Sequence, residues 1–173
     1  MLGVADDLAT RWFSFLKGRL RDLVLFLVVL SAVSLWQGHH LLPSGEEAPS
    51  VSFTDLRGNP VRLEELRGQK VLLYFWAPWC GVCKAVTPNV RWLASSDHVE
   101  VVTVVSTREN PASVLAADPE SFSDRVLVAD DAVARAFAVR GYPSFYVIDE
   151  EGIVERSFLG YTSRLGLWVR TRF

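Results

Sequence analysis

Cysteine is scarce: the 173 residues hold only two, Cys80 and Cys83, three positions apart. One close pair cannot staple a small fold as a disulfide framework does. It is also only half of the four-ligand set of a structural zinc site. Of the three histidines, His39, His40 and His98, none stands at metal-ligand spacing to the cysteines, so no metal site is expected. The only methionine is Met1, which leaves a dedicated copper site short of soft ligands. Charge of one sign is lacking too. The formal net charge of −2 gives no electrostatic reason to expect nucleic acid. No internal repeat or low-complexity tract is present. With half the residues hydrophobic, one globular core plus an appendage can form. What remains for Cys80-Gly81-Val82-Cys83 is a dithiol redox pair, with no cofactor beyond the sulfurs.

The appendage stands out by composition. Leu23 to Trp36 is an apolar run without a charged residue, preceded by Arg11, Lys17, Arg19 and Arg21. A spanning helix needs about 20 residues, which residues 23–42 supply, with Trp36 suited to the headgroup level. A signal anchor is the leading reading: 1–22 a cytoplasmic basic segment, 23–42 a single membrane span, and everything beyond outside the cytoplasm by the positive-inside rule. A cleaved signal peptide with Ala32-Val33-Ser34 as its site is the second reading. A buried helix of the domain is the third, disfavoured because the run has no polar stripe. Leu8, Trp12, Phe15 or Leu16, and Leu20 recur at helical spacing between basic residues. They suit an interfacial helix or an inward continuation of the anchor. Residues 43–50, with Pro, Gly, Ser and Glu, read as an extended linker, and 51–173 as the domain.

Within the domain, Lys70 to Trp76 is a short continuous apolar run, the pattern of a strand buried on both faces. A helix is expected from about Cys80 to Ala94, with Val86, Val90 and Leu93 turned to the core. Val99 to Val105 forms a second strand. Asn110-Pro111 opens a short helix, and Arg125 to Ala129 is a strand or an extension. Asp130 or Asp131 caps a helix to Val139, with Gly141 as its C-terminal glycine. Ser144 to Ile148 and Ile153 to Leu159 form a hairpin around Asp149-Glu150-Glu151-Gly152. Thr162 or Ser163 caps a last helix with Leu165, Trp168 and Val169 on one side. Strands alternating with helices make an α/β layout. Trp92 and Trp168 read as core and His98 as loop surface. Asp97, Glu100, Asp130 and Asp131 read as caps or solvated surface, and His39 and His40 as interfacial residues.

A dithiol that follows a buried strand and opens a helix has a chemical consequence. Free N–H groups and the positive end of the helix dipole favour a thiolate at Cys80, lowering its pKa below the roughly 8.5 of an ordinary thiol. Cys83, one turn further in, is less exposed and less ionised. Cys80 is therefore the nucleophile and Cys83 the resolving thiol.

Trp76-Ala-Pro-Trp-Cys-Gly-Val-Cys-Lys84 resembles the thioredoxin active-site signature, with Pro88 at the position of the proline inside the active-site helix. Arg140-Gly-Tyr-Pro-Ser-Phe-Tyr-Val-Ile-Asp149 resembles that family's cis-proline loop and following strand. Phe53 to Val71 is similar to the N-terminal extension of the membrane-anchored TlpA/ResA/DsbE-like branch. The chain also resembles the ScsD-like type of protein disulfide oxidoreductase, linked to suppression of copper sensitivity. The resemblance covers about residues 49–172. It implies a thioredoxin fold, a central mixed sheet flanked by helices, acting as a protein disulfide oxidoreductase. It also implies a cis Tyr142–Pro143 bond, a minority state at about 5–6% of X–Pro bonds, facing the dithiol and presenting the Tyr142 backbone to a partner peptide. Implied partners are protein thiols and disulfides and a membrane electron carrier of the DsbD or ScsB type.

Trp79, Tyr142 and Pro143 are thus the expected substrate-binding residues, with Trp76, Gly81, Val82 and Lys84 in support. Trp76 is assigned to packing and Trp79 to partner contact, while Lys84 either steadies a thiolate or is simply solvated. Three departures stand out. Tyr74 replaces thioredoxin's buried aspartate, and Val86 replaces the helix glutamate of ResA-like members. Ser144 replaces the acid beside the cis-proline in cytochrome c maturation members, which argues against a thioreductase for haem-binding cysteines. Without the first two carboxylates, the inner cysteine's proton must pass through water or an acid not evident from the chain. Gly81-Val82 lacks the histidine of the strongly oxidising relatives and the proline of thioredoxin, which points to an intermediate or reducing potential. Copper binding by Cys80 and Cys83, and an inactive interaction module, are the rival readings from other classes.

Overall fold

The computed structural model describes residues 19–26, 28–29, 41–106 and 125–173. The helix expected after Asn110-Pro111, His39 and His40, and most of the expected anchor lie outside them. Two units are resolved by contact, residues 1–37 and 38–173. In the first, residues 19–26 and 28–29 are helical, and Leu23, Val24, Leu25 and Phe26 are exposed. Among the described residues no helix is long and apolar enough to cross a membrane.

The second unit is built on one mixed sheet. Its strands are β1 (Ser52–Asp55), β2 (Pro60–Arg62), β3 (Val71–Trp76), β4 (Glu100–Ser106), β5 (Arg125–Ala129), β6 (Ser144–Ile148) and β7 (Val154–Leu159). The spatial order is β2-β1-β5-β4-β3-β6-β7. β3 runs parallel to β4, and β4 to β5. β6 is antiparallel to β3 and to β7. Among the described residues of this unit the helices are α1 (Gly81–Ala94), α2 (Asp131–Ala136) and α3 (Arg164–Arg172), with a 3-10 turn at Leu63–Leu66.

The apolar run in β3 is buried at every position because both faces of the sheet are covered. Alternate residues serve two cores, as the two-residue period of a strand requires. Leu73 and Phe75 pack with Phe53, Phe137 and Tyr146 on the α2 face. Leu72 and Tyr74 pack with Val86, Val90, Leu93 and Leu167 on the α1/α3 face. Removing a buried aromatic such as Phe75, whose ring meets those of Phe53, Phe137 and Tyr146, would cost about 3–5 kcal/mol.

Several expectations need correction. Residues 43–50 are no free linker. The amides of Gly45 and Ala48 donate to Val154 and Gly152 carbonyls, Glu47 bridges Ile153, and Arg67 pairs with Glu47 at 2.6 Å. Leu41 and Ala48 are buried, so the packed unit starts before residue 51. A polar, proline-containing stretch can still satisfy its amides on an open sheet edge, which composition does not reveal. On α3 the buried residues are Leu167 and Thr171, while Leu165 and Val169 face outward. Trp92 is exposed and Trp168 only half-buried, so neither tryptophan is core. His98 is half-buried, with its ring Nε2 against Thr171 Oγ1 at 3.1 Å.

The α2 helix also stops early. Asp130 caps its start, Oδ1 accepting from the Ala132 and Val133 amides. It ends at Ala136, where the Ala138 amide donates to Arg135 O and the Val139 amide to Ala134 O. That pair of bonds is a Schellman motif. Its left-handed position is taken by Ala138, at φ 50°, and not by the expected Gly141. Gly141 instead lies close to β7: an added Cβ would meet Leu159 Cδ1 at 3.3 Å. A left-handed alanine costs about 1–2 kcal/mol, part of which a glycine returns as unfolded-chain entropy. Ala138→Gly should therefore stabilise the domain by about 0.5–1 kcal/mol, readable as a rise in thermal midpoint. An unchanged or lower midpoint would contradict this reading of the turn.

Candidate functional site

The site forms where β3 leaves the sheet. Phe75 of β3 pairs with Ser144 of β6, so the exit from β3 and the entry to β6 lie at one end of the sheet. The chain after β3 runs Ala77-Pro78-Trp79 into Cys80, the N-cap of α1, and the chain before β6 carries Tyr142-Pro143. The Tyr142–Pro143 bond is cis, as expected. The Trp79 and Tyr142 rings meet edge-on at 5.5 Å, which joins the two loops. Trp79 is 77% exposed, whereas Trp76 is buried.

Cys80 and Cys83 are joined by a disulfide with a Cα–Cα distance of 5.2 Å. The Cys83 amide donates to Cys80 Sγ at 3.1 Å. A sulfur thus occupies the place where a serine or aspartate oxygen caps most helices. This N–H is one of the groups a helix start leaves without an intrahelical acceptor. It adds to the helix dipole in favouring negative charge at Sγ. Cys83 is the more deeply buried of the two, at 1% exposed against 6% for Cys80. Gly81, Val82 and Lys84 are exposed around them, and nothing lies within 4 Å of a Cβ added to Gly81.

Beneath the inner cysteine the polar groups are hydroxyls. The Tyr74 hydroxyl donates to Cys83 O at 3.2 Å and lies 3.1 Å from Thr87 Oγ1, which itself donates to Cys83 O at 2.8 Å. Burial pushes the Tyr74 phenol up to about 12, with the Thr87 hydrogen bond opposing. The phenol is therefore neutral at physiological pH and cannot take a proton from Cys83. Val86 is fully buried in the α1 core. Ser144, next to the cis-proline, is also fully buried, its Oγ donating to Gly141 O at 2.8 Å.

An open groove of about 990 Å³ runs beside the dithiol loop, with Trp79, Tyr142, Ser106, Asp130, Asp131 and Arg135 among its walls. The sequence reading placed Trp79 and Tyr142 at the site but read Asp130 and Asp131 as caps or surface, and it did not single out Ser106 or Arg135. Ser106 ends β4 beside Ala129 of β5. Its Oγ is buried without a hydrogen-bond partner among the described residues. The available signal was position: in parallel sheets, ligands gather at the carboxyl ends of the strands.

Comparison with known proteins agrees with this geometry. The Redoxin family profile matches residues 43–165. The chain is 29% identical over 147 residues to the thioredoxin-like protein YneN of Bacillus subtilis, covering 80% of this chain and 86% of that one. It is 26% identical over 155 residues to the thiol-disulfide oxidoreductase ResA of Bacillus thuringiensis, covering 83% and 90%. A crystal structure of a DsbE-type thiol:disulfide interchange protein from Chlorobium tepidum superposes with a TM-score of 0.65 at 26% identity, over 75% of this chain and 95% of that one. With the cysteine-capped helix and the cis-proline loop side by side, these likenesses have one meaning: the chain belongs to the Redoxin family, in its TlpA/ResA/DsbE-like group of thioredoxin-fold thiol–disulfide oxidoreductases.

Proposed function

We propose that this protein exchanges disulfides with partner proteins on the periplasmic side of a bacterial inner membrane, through Cys80 and Cys83. The observation that carries the proposal is the hydrogen bond from the Cys83 amide to Cys80 Sγ at the start of α1. It stabilises the thiolate, which is the nucleophilic form of a cysteine.

The reaction starts from the reduced dithiol. The Cys80 thiolate attacks one sulfur of a partner disulfide. A Cys80–partner bond forms, the partner's S–S bond breaks, and one partner sulfur leaves as thiolate. Cys83, as thiolate, then attacks Cys80 Sγ and expels the second partner sulfur. The Cys80–Cys83 disulfide closes, the partner is reduced by two electrons, and this chain is oxidised by two. Protons released from the two cysteines match those the departing partner thiolates take up. The neutral Tyr74 and Thr87 hydroxyls hold the Cys83 carbonyl and accept no proton, so the Cys83 proton leaves through water or to the departing thiolate. Recharging needs an external dithiol, for which a membrane carrier of the DsbD or ScsB type is the family-based expectation. The same steps run in reverse would oxidise a partner.

Trp79, Tyr142 and Pro143 present the partner's backbone to Cys80 in this reading. The open groove, with the Ser106 hydroxyl on its wall, receives the chain flanking the partner's cysteine. The apolar run that begins at Leu23 tethers the domain, with 1–22 on the cytoplasmic side; the expected span of 23–42 is too long at its end, because Leu41 and Leu42 pack in the domain core.

Two experiments test the scheme. Cys83→Ala should accumulate reductant-sensitive mixed disulfides with partner proteins, and Cys80→Ala should form none and lose disulfide reductase activity to background. Equal trapping by both variants would exclude the assigned roles. Tyr74→Phe should cost about 1 kcal/mol of stability and leave the pH profile of exchange in place. A displaced profile would mean that the phenol takes part in proton transfer.

A further inference from the structure

The last helix turns outward the apolar stripe that its sequence pattern suggests for the core. Leu165, Val169 and Phe173 repeat every four residues and are 69%, 42% and 76% exposed. Trp168 lies beside them, its ring edge-on to Phe173 at 6.0 Å, and Trp92 of α1 is 40% exposed. The side facing the domain is held by Leu167 and Thr171.

The charged side chains along this part of the chain have one sign. From Arg156 to Phe173 the chain has four arginines and no acidic side chain, although its net charge overall is −2. The Arg172 guanidinium lies over the Trp168 ring at 5.7 Å, and that of Arg164 over Trp92 at 5.8 Å. Cationic heads therefore sit directly on the aromatic groups. Two copies docked through this face would set arginine against arginine, a like-charge juxtaposition that costs several kcal/mol. An anionic lipid surface fits both features: aromatic and aliphatic groups enter the headgroup boundary while arginines reach the phosphates.

The end of α3 and the start of the packed chain meet the same edge strand. Ser157 Oγ donates to Leu42 O at 2.7 Å, and the adjacent Arg156 donates from Nη2 to Phe173 O at 2.6 Å. Neighbouring residues of edge strand β7 thus hold the chain at Leu42 and the end of α3, on opposite faces of the same edge. On the tethering reading, the chain comes from the membrane into the domain along this edge.

We propose that the outer face of α3, together with Trp92, rests on an anionic phospholipid surface. The inference draws on the tethering reading for its local concentration and not on the dithiol chemistry. The test uses the full chain carrying the photocrosslinker p-benzoylphenylalanine in place of Leu165, in nanodiscs of phosphatidylcholine with or without phosphatidylglycerol. Lipid adducts are expected on the anionic discs. They should fall several-fold on neutral discs, and about fivefold for each of Arg164→Gln and Arg172→Gln, since an arginine near such a surface contributes about that factor. Crosslinking to a second copy or to no lipid, with the chain in the disc, would overturn the proposal. A chain that stays out of the discs would refute the tethering. The same labelled chain mixed with phosphatidylglycerol vesicles would then decide the surface claim: adducts support it, and their absence rejects it.

Discussion

The site turns on one hydrogen bond, from the Cys83 amide to Cys80 Sγ. Much of the surrounding structure acts to keep that amide aimed at that sulfur. β3, buried on both faces, ends at Trp76 and delivers the chain to the start of α1. The Cys80 amide donates to Ala77 O, tightening the turn between strand and helix. Val86, Val90 and Leu93 bind α1 to the sheet, so its first turn cannot swing away without opening the core. The helix start is then a fixed source of positive potential. The free energy it supplies to an anion, about 0.3–1 kcal/mol at an exposed site and up to about 2 when partly buried, is present before any partner arrives.

The two cysteines differ because their surroundings differ. Cys80 sits at the cap, beside exposed Trp79 and Gly81. Cys83 points inward above a pair of hydroxyls. The buried position under Cys83 is filled by Tyr74, stacked on Phe145 at 5.0 Å, where thioredoxin has an acid. A phenol held neutral by burial rigidifies the first turn of α1 through the Cys83 carbonyl but takes no proton at physiological pH. Tyr74 therefore does not stand in for that acid as a proton acceptor. That separates a structural device, Tyr74 with Thr87, from the reacting pair it supports.

The core strands and the dithiol were legible in the sequence because each combines a local pattern with a strong constraint. The run ending at Trp76 had to be a strand covered on both faces. A Cys-x-x-Cys opening a helix had to place one sulfur at its N-terminus. The cis bond at Tyr142–Pro143 was legible only through family likeness, since nothing local to a Tyr-Pro pair dictates its isomer. Other features escaped because they depend on contacts between distant segments. Docking of residues 43–50 on β7 is set by the sheet edge they meet. The exposure of Trp92 and Trp168, both expected in the core, escaped because helical spacing identifies an apolar stripe without saying whether protein covers it. Ala138 rather than Gly141 ends α2 because the helix stops after six residues, fixed by packing of Val133 and Phe137 and not by the available glycine. The wall of the dithiol groove that Ser106 and Arg135 provide joins β4 to α2, and no motif links those residues along the chain.

Reactivity of Cys80 as a function of pH tests the central claim most directly. With the disulfide reduced and Cys83 replaced by alanine, the rate of iodoacetamide alkylation should rise to a plateau with a midpoint well below the roughly 8.5 of an ordinary thiol. A midpoint at or above that value would contradict the account, because the helix start would then give the sulfur no advantage as an anion.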